Sequence, residues 1–447
     1  MSDLNLIGPN STPETEDLSV KSPLMGSVKL SDVVNRSMVL RSMNGIASWM
    51  KAASESTDMR GKMHRMAVYD YCGNVNWMYP NSNTAESISA WLDLSEALNR
   101  PAYIQKAIEY AIALIDDNKG LYSGPEKDAH GMMWYWTDAG VYSSLYSMRV
   151  PAQFIRLYKY TGDERLLNAL GPLGETLLTN QLSNGLVGSG WSPTNGWCES
   201  GSRIGSRFVY VVATYATLYQ HSQDNRYREA YERAIGALLK MQRADGSFYQ
   251  HYDLSNLEMS VTDCSTKCMF FAYILNAIAE AYAVFEDERL LNCARRLGNF
   301  ITRLYYCRGA LPYCIGDKLL VSDQPEANMS MYECANGLLW LYGKVPDERF
   351  KDIGLRLWIT AWLNQAEVTE NPDLNGAILV GSDPMVKKKD KAIPSNRMHL
   401  AYDPSRAAKC VLWGMVNHTS SCKRLLDSKS ILNEKSEHST GTLLARG

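Results

Sequence analysis

Three carboxylates of this 447-residue chain stand in polar, aromatic-rich stretches: Asp138 in Trp134-Tyr135-Trp136-Thr137-Asp138, Glu199 in Gly196-Trp197-Cys198-Glu199-Ser200, and Asp263 ahead of an apolar run. Acids placed in pairs can serve as general acid and as base or nucleophile at an acetal carbon. Aromatic neighbours would lift the Asp138 pKa towards that of a working acid, and small residues beside Glu199 let a substrate approach the backbone. Plainer roles compete at each position. Asp138 suits a turn or cap, Glu199 an ion pair with Arg203 or Arg207, and Asp263 an N-cap. A different chemistry is available in Gln250-His251-Tyr252-Asp253. His251 or Tyr252 would take a proton next to a carboxylate, while Arg203 and Arg207, or Arg397 and His399, hold the acid group. A loop histidine is more often a packing residue, so the choice between these chemistries stays open.

Rings are concentrated in the same stretches. Trp77, Tyr79, Trp134, Trp136, Trp191, Trp197 and Tyr249 offer flat apolar faces that suit a sugar ring, whose hydroxyls then need fixed polar partners. With Arg203, Arg207, Arg397 and His399 they are the expected substrate-binding set. The alternative is that the rings pack the loops onto the scaffold.

Helical runs with a regular internal signal must position these residues. Asn99-Arg100, Asp163-Glu164-Arg165, Asp224-Asn225-Arg226, Asp287-Glu288-Arg289 and Asp347-Glu348-Arg349 recur about every 60 residues, each flanked by apolar helical runs. A tight polar turn inside each unit describes a helical hairpin, and no hairpin buries its apolar face alone. The spacing predicts paired helices over 84–98 and 102–116, 144–160 and 164–182, 206–221 and 227–242, 263–285 and 288–304, and 330–342 and 348–364. A first helix over 31–53 and a last over 405–416 would pair to close a ring. Asn83 with Glu86, and Ser330 with Glu333, have capping-box spacing. Turns within hairpins are short and connections between them long, which gathers the long connections at one end, where long loops are usually functional.

Composition narrows the classes. Apolar residues at 45% supply a large core, and a net charge of −2 gives no attraction to nucleic acid or an anionic membrane. No stretch has the length of a membrane span or a signal peptide, so a cytoplasmic protein is expected. Ten cysteines in so long a chain are not a disulfide framework, and Cys293, Cys334 and Cys410 sit in apolar runs. Cys264 and Cys268 lie a helical turn apart without a neighbouring histidine, so neither a metal nor a cofactor is expected. Residues 1–30 and 419–447 are polar and expected to be disordered around a single domain over 31–418.

Three segments carry a family resemblance. Tyr160-Thr161-Gly162-Asp163-Glu164-Arg165-Leu166-Leu167, Leu239-Lys240-Met241-Gln242-Arg243-Ala244-Asp245-Gly246-Ser247-Phe248-Tyr249, and Asn375-Gly376-Ala377-Ile378-Leu379-Val380-Gly381-Ser382 resemble the six-hairpin glycosidase superfamily, which includes unsaturated glucuronyl hydrolases and related sugar-processing proteins. The resemblance spans residues 31–416 and implies an all-α (α/α)6 barrel acting on an oligosaccharide or polysaccharide. A glycoside hydrolase using loop carboxylates is the leading expectation. A uronate lyase or epimerase on the same barrel comes second, and a glycan-binding protein without catalysis third.

Overall fold

The computed structural model describes residues 30–55, 64–69, 75–80, 84–116, 120–136, 141–197, 203–258, 266–309, 311–312, 314–315, 328–366, 375–378, 408–428 and 430–432. Its α-helices are α1 (Arg36–Glu55), α2 (Thr84–Leu98), α3 (Ala102–Asp116), α4 (Ser144–Ser147), α5 (Val150–Thr161), α6 (Glu164–Asn168) and α7 (Leu170–Thr179). They continue with α8 (Val211–Ser222), α9 (Asn225–Met241), α10 (Met269–Phe285), α11 (Glu288–Arg308), α12 (Asn328–Lys344), α13 (Glu348–Leu363) and α14 (Leu412–Asp427).

The recurring Asp-x-Arg signal is a helix start. Asp163, Asp224, Asp287 and Asp347 each accept the backbone N–H of the arginine two residues on, at 2.9–3.0 Å. The same arginine closes its guanidinium onto that carboxylate at 2.6–2.7 Å. An N-cap of this kind is worth ~1 kcal/mol, and the exposed ion pair adds little. Before three of the four the chain reverses through a left-handed residue, Gly162 (φ 66°), Gln223 (φ 58°) or Glu286 (φ 49°). Arg226 and Arg289 also reach back to Glu175 on α7 and Glu232 on α9, tying each hairpin to the one before.

A second repeated device joins neighbouring outer helices. Gln181 Nε2 donates to Gly185 O and to Ala230 O of α9, both at 2.8 Å. Gln242 Nε2 donates to Gly246 O at 3.0 Å and to Cys293 O of α11 at 2.9 Å. Gln365 Nε2 donates to Gly376 O and to Ser42 O of α1, both at 2.9 Å. Each glycine has positive φ (93°, 89° and 86°), and a Cβ there would lie 2.2, 2.3 or 1.8 Å from a carbonyl oxygen of the neighbouring helix. Only glycine fits.

Helices α2, α5, α8, α10, α12 and α14 form an inner ring in which α14 packs back on α2, while α3, α6–α7, α9, α11, α13 and α1 lie outside. Burial follows the layers. Outer α9 buries Tyr227, Ala230, Tyr231, Ala234, Ile235, Ala237, Leu238 and Met241 along one stripe and leaves its Arg/Glu face to solvent. Inner α10 is buried on nearly every side. The chain enters each inner helix from a long connection and, except at the last helix α14, leaves by a short turn, so the inner helices run parallel with their N-termini at the long-connection end.

Short strands lie in the connections. His64–Tyr69 pairs with Val75–Pro80 and with Ala408–Val411. Trp134–Trp136, Val141–Ser143, Gly190–Ser192 and Gly196–Trp197 form one four-stranded sheet. Several expectations need correcting. Residues 408–411 are a strand, so the last helix starts at Leu412 instead of 405. It runs to Asp427 and buries Cys422 and Leu425, with Ile431 and Leu432 buried beyond it. A domain boundary at 418 therefore cuts a barrel helix. Helix α10 begins at Met269, so Asp263 is not its N-cap. Residues 1–29 and 433–447 lie outside the described residues, as does Cys264. No helix among the described residues is long and apolar enough to cross a membrane.

Candidate active site

The inner ring encloses a cavity of about 580 Å³, whose charge is carried by Glu86, Asp93, Arg149, Arg156, Glu280, Lys423, Arg424 and Asp427. One group of its residues centres on Arg149. This arginine, buried just before α5, contacts Glu86 of α2, and its guanidinium lies 5.0 Å from the Tyr210 ring and 4.2 Å from the Tyr273 ring. These faces attract the cation and fix its plane. Glu280 of α10 accepts the Tyr210 hydroxyl at 2.5 Å, while its Oε2 has no hydrogen-bond partner among the described residues. Burial raises the Glu280 carboxyl above its usual range, against the pull of the Tyr210 hydroxyl and the Arg149 charge. Burial also pushes Tyr210 and Tyr273 far up, keeping both as neutral phenols. Glu333 of α12 is fully buried and adds its field to Tyr273.

A second group centres on Arg156. Arg156 of α5 bridges Asp93 and Glu96 of α2, at 2.7 Å to each. Lys423 of α14 bridges Glu96 at 2.9 Å and Asp427 at 2.6 Å. Burial raises the Asp93 carboxyl in spite of the adjacent Arg156. At Glu96 burial works upwards too, but bonds from Tyr160, Lys423 and Arg156 outweigh it and hold the carboxyl down at about 2.

Glu86 and Glu333 were expected to cap helices. Glu86 pairs with Arg149 across the lumen, its expected cap partner Asn83 lying outside the described residues, and Glu333 is sealed in the interior. Glu86, the third residue of α2, can point back to its cap or inwards, and α12 begins at Asn328, ahead of Ser330, so Glu333 lies within the helix. Glu280 carried a clearer signal. It and Asn276 are the strongly polar residues of an otherwise apolar helix, at the i, i+4 spacing that shares one face.

Among the sequence candidates, Asp138, Glu199, Asp263, Arg397 and His399 lie outside the described residues. Trp77 and Tyr79 sit on strand Val75–Pro80, and Trp136 on Trp134–Trp136. Trp134 and Trp191 are buried, and Trp191 packs in a ring cluster 4.6 Å from Tyr122 and 5.7 Å from Tyr142. Trp197 packs partly buried against the same cluster.

The structure does bring Arg203, His251, Tyr252 and Asp253 together. Strands Arg203–Gly205 and His251–Asp253 pair with Arg203 opposite Asp253, Ile204 opposite Tyr252 and Gly205 opposite His251. Alternation puts Arg203, His251 and Asp253 on one face, with Ile204 and Tyr252 on the other, buried. The Tyr252 hydroxyl donates to Met241 O and accepts the Tyr249 N–H at 2.9 Å, so it serves the backbone. Its neutral form is favoured by burial. Tyr249 lies edge-on to Tyr252 under the Arg243 guanidinium, and Arg207 lies 5.0 Å from the Phe270 ring.

Residues 206–295 match the family model described as pectic acid lyase. No curated protein sequence matches the chain. Among solved structures, cellobiose 2-epimerase from Bacillus thermoamylovorans B4167 superposes with a TM-score of 0.67 at 12% identity, covering 88% of this chain and 100% of that one. A D-mannose isomerase gives 0.64 at 12% identity, covering 88% and 98%. The unsaturated glucuronyl hydrolase from Bacillus sp. GL1, responsible for the degradation of glycosaminoglycan, gives 0.61 at 15% identity, covering 89% and 98%. Identities this low speak for the fold alone. By its closed ring of hairpins and by these superpositions, the chain has the six-hairpin (α/α)6-barrel glycosidase fold.

Proposed function

We infer that this protein is a carbohydrate-active enzyme and that its reaction is glycoside hydrolysis. The observation that carries the reading is the unequal setting of two carboxyls around Arg149. Burial raises the Glu280 carboxyl, which has one oxygen unpaired among the described residues, whereas Glu86 is held by the guanidinium. Carboxyls whose surroundings push them apart are how one site supplies both an acid and its complement. In this reading Glu280 donates the proton to the leaving oxygen, and Arg149 keeps Glu86 in place as the complementary carboxylate. Asp138, Glu199 and Asp263 belong to connections that lead into inner helices and are proposed to act on the substrate from that side. An oligosaccharide is the proposed substrate. The fold is shared with enzymes named for hydrolysing, epimerising and isomerising sugars.

Screening the purified protein against a glycan library for new reducing ends tests this directly. Glu280→Gln and Glu86→Gln keep the shape but remove an acid–base group, and each should lower turnover by ~10²–10⁴-fold. Asp138→Asn and Glu199→Gln, assayed in parallel, tell whether the reacting pair extends to the connections. A second reading, β-elimination or epimerisation of a uronate, draws support from the pectic acid lyase match and from Arg203 and His251 sharing a strand face. Product that absorbs in the ultraviolet, formed undiminished by all four carboxylate variants, would establish it and end the hydrolase reading.

A further inference from the structure

In the lumen one cation stands apart from the ion-pair network. Arg424, in the last turn of α14, donates Nε to Asn336 Oδ1 of α12 at 3.1 Å. Asn336 Nδ2 donates to Asn276 Oδ1 of α10 at 3.2 Å, and Asn276 Nδ2 to Asn417 Oδ1 of α14 at 2.9 Å. This chain of amides crosses three inner helices and fixes the plane of the guanidinium. Its two terminal nitrogens have no protein partner among the described residues, and the side chain lines the cavity. The neighbouring acids are already engaged. Asp93 binds Arg156 and the Ser420 hydroxyl, and Asp427 binds Lys423.

A guanidinium keeps its charge even where burial weakens it, as burial does here. Arg424 is half-buried, and an arginine fork with two open nitrogens matches two oxygens of a carboxylate or phosphate. The surrounding lining is Ser89, Gln153, Asn417 and Ser428, groups that exchange hydrogen bonds with hydroxyls. About 580 Å³ is within the range of small-molecule sites. The way in is marked by Asp427, whose side chain is 62% exposed at the end of α14.

We propose that Arg424 makes this lumen a binding site for a small anionic sugar, whose carboxylate or phosphate sits on the Arg424 fork and whose hydroxyls meet the amides and serines around it. The site shares the lumen with Glu280, which stands one turn beyond Asn276 on α10, but Arg424 has no part in the proposed proton transfers, so its binding role does not rest on the hydrolase reading.

Isothermal titration calorimetry on the full chain, at constant ionic strength, tests it with glucuronate, glucose 6-phosphate, inorganic phosphate and glucose. Saturable binding of glucuronate or glucose 6-phosphate is expected, with glucose at least about tenfold weaker, because glucose offers the fork no charged pair of oxygens. Glucuronate alone identifies a carboxylate ligand, and the phosphate ester alone a phosphate ligand. Arg424→Gln should weaken the charged sugar by about tenfold or more, and Arg424→Lys, which keeps charge but loses the fork, should do so partially. Binding unchanged in Arg424→Gln overturns the proposal. So does wild-type protein that binds neither charged sugar more tightly than glucose, or inorganic phosphate alone, whichever variants fold. Turnover is read in a separate assay, so failure of either reading leaves the other standing.

Discussion

His418 should make the closure of the ring sensitive to mild acid. It lies on α14, fully buried and stacked on Trp358 of α13 with the rings 5.5 Å apart. Its Nε2 is 2.9 Å from Ser42 Oγ of α1, and that hydroxyl donates to Gln365 Oε1 at 2.7 Å. Gln365 uses its amide nitrogen on Ser42 O and Gly376 O, so Oε1 is the acceptor there. Ser42 has spent its proton and must receive one from Nε2–H, which leaves Nδ1 as a bare lone pair, without a partner in the core. Burial pushes the imidazole down to about 3 from 6.5. The unfolded chain therefore takes up a proton below about 6.5 that the folded chain refuses, and stability falls as pH drops from there towards 3. Each unit is worth about 1.4 kcal/mol, so the loss is about 2 kcal/mol at pH 5. Asp93 and Glu280, both raised, act in the opposite direction, so the comparison must be with a variant. His418→Gln keeps a donor for Ser42 and cannot be protonated. Urea unfolding at pH 7.5 and pH 5 should show the wild type losing about 2 kcal/mol more than the variant. Equal losses in the two proteins would refute the bare lone pair and the chain of bonds that implies it.

Two further outcomes follow from the scaffold. Gly246→Ala forces a Cβ to within 2.3 Å of Arg296 O at φ 89°, and should lower stability by ~2–4 kcal/mol in urea unfolding, whereas Gly236→Ala, on α9 with open space around it, should be neutral or stabilising. Tyr252→Phe removes a hydroxyl that serves Met241 O and the Tyr249 N–H, so it should cost ~1–2 kcal/mol of stability while kcat stays within about threefold. A kcat collapse with unchanged stability would return Tyr252 to a role in the chemistry.

The hairpins were legible because each element repeats its own signal. The Asp-x-Arg turns mark N-caps by residue type, and α2 and α3 lie at 84–98 and 102–116 as their periodicity predicts. The Gln-x-x-x-Gly segments were visible as a pattern, but their purpose depends on a carbonyl from a helix about 50 residues away, such as Cys293 O for Gln242. The lumen was harder to read for the same reason. Glu86 and Glu333 follow good cap residues and look local, while the partner that decides the matter for Glu86, Arg149, comes from another inner helix. The start of α14 was missed because Ala408–Val411 is apolar enough to extend a helix, and only its pairing with Met66–Tyr69 makes it a strand.

The Gln365 clamp and the His418–Ser42 contact have a consequence during synthesis. Both join α1 to chain made late, and Ser42 and His418 are 376 residues apart. At roughly 5–20 residues per second a ribosome separates the two halves of that seam by roughly 20–75 s. Through that interval α2 lacks α14 beside it, and the polar lumen is open along one side. An unfinished or truncated copy is thus an arc with two sticky faces, which can close only on itself once α14 emerges or, before that, on the arc of another nascent chain.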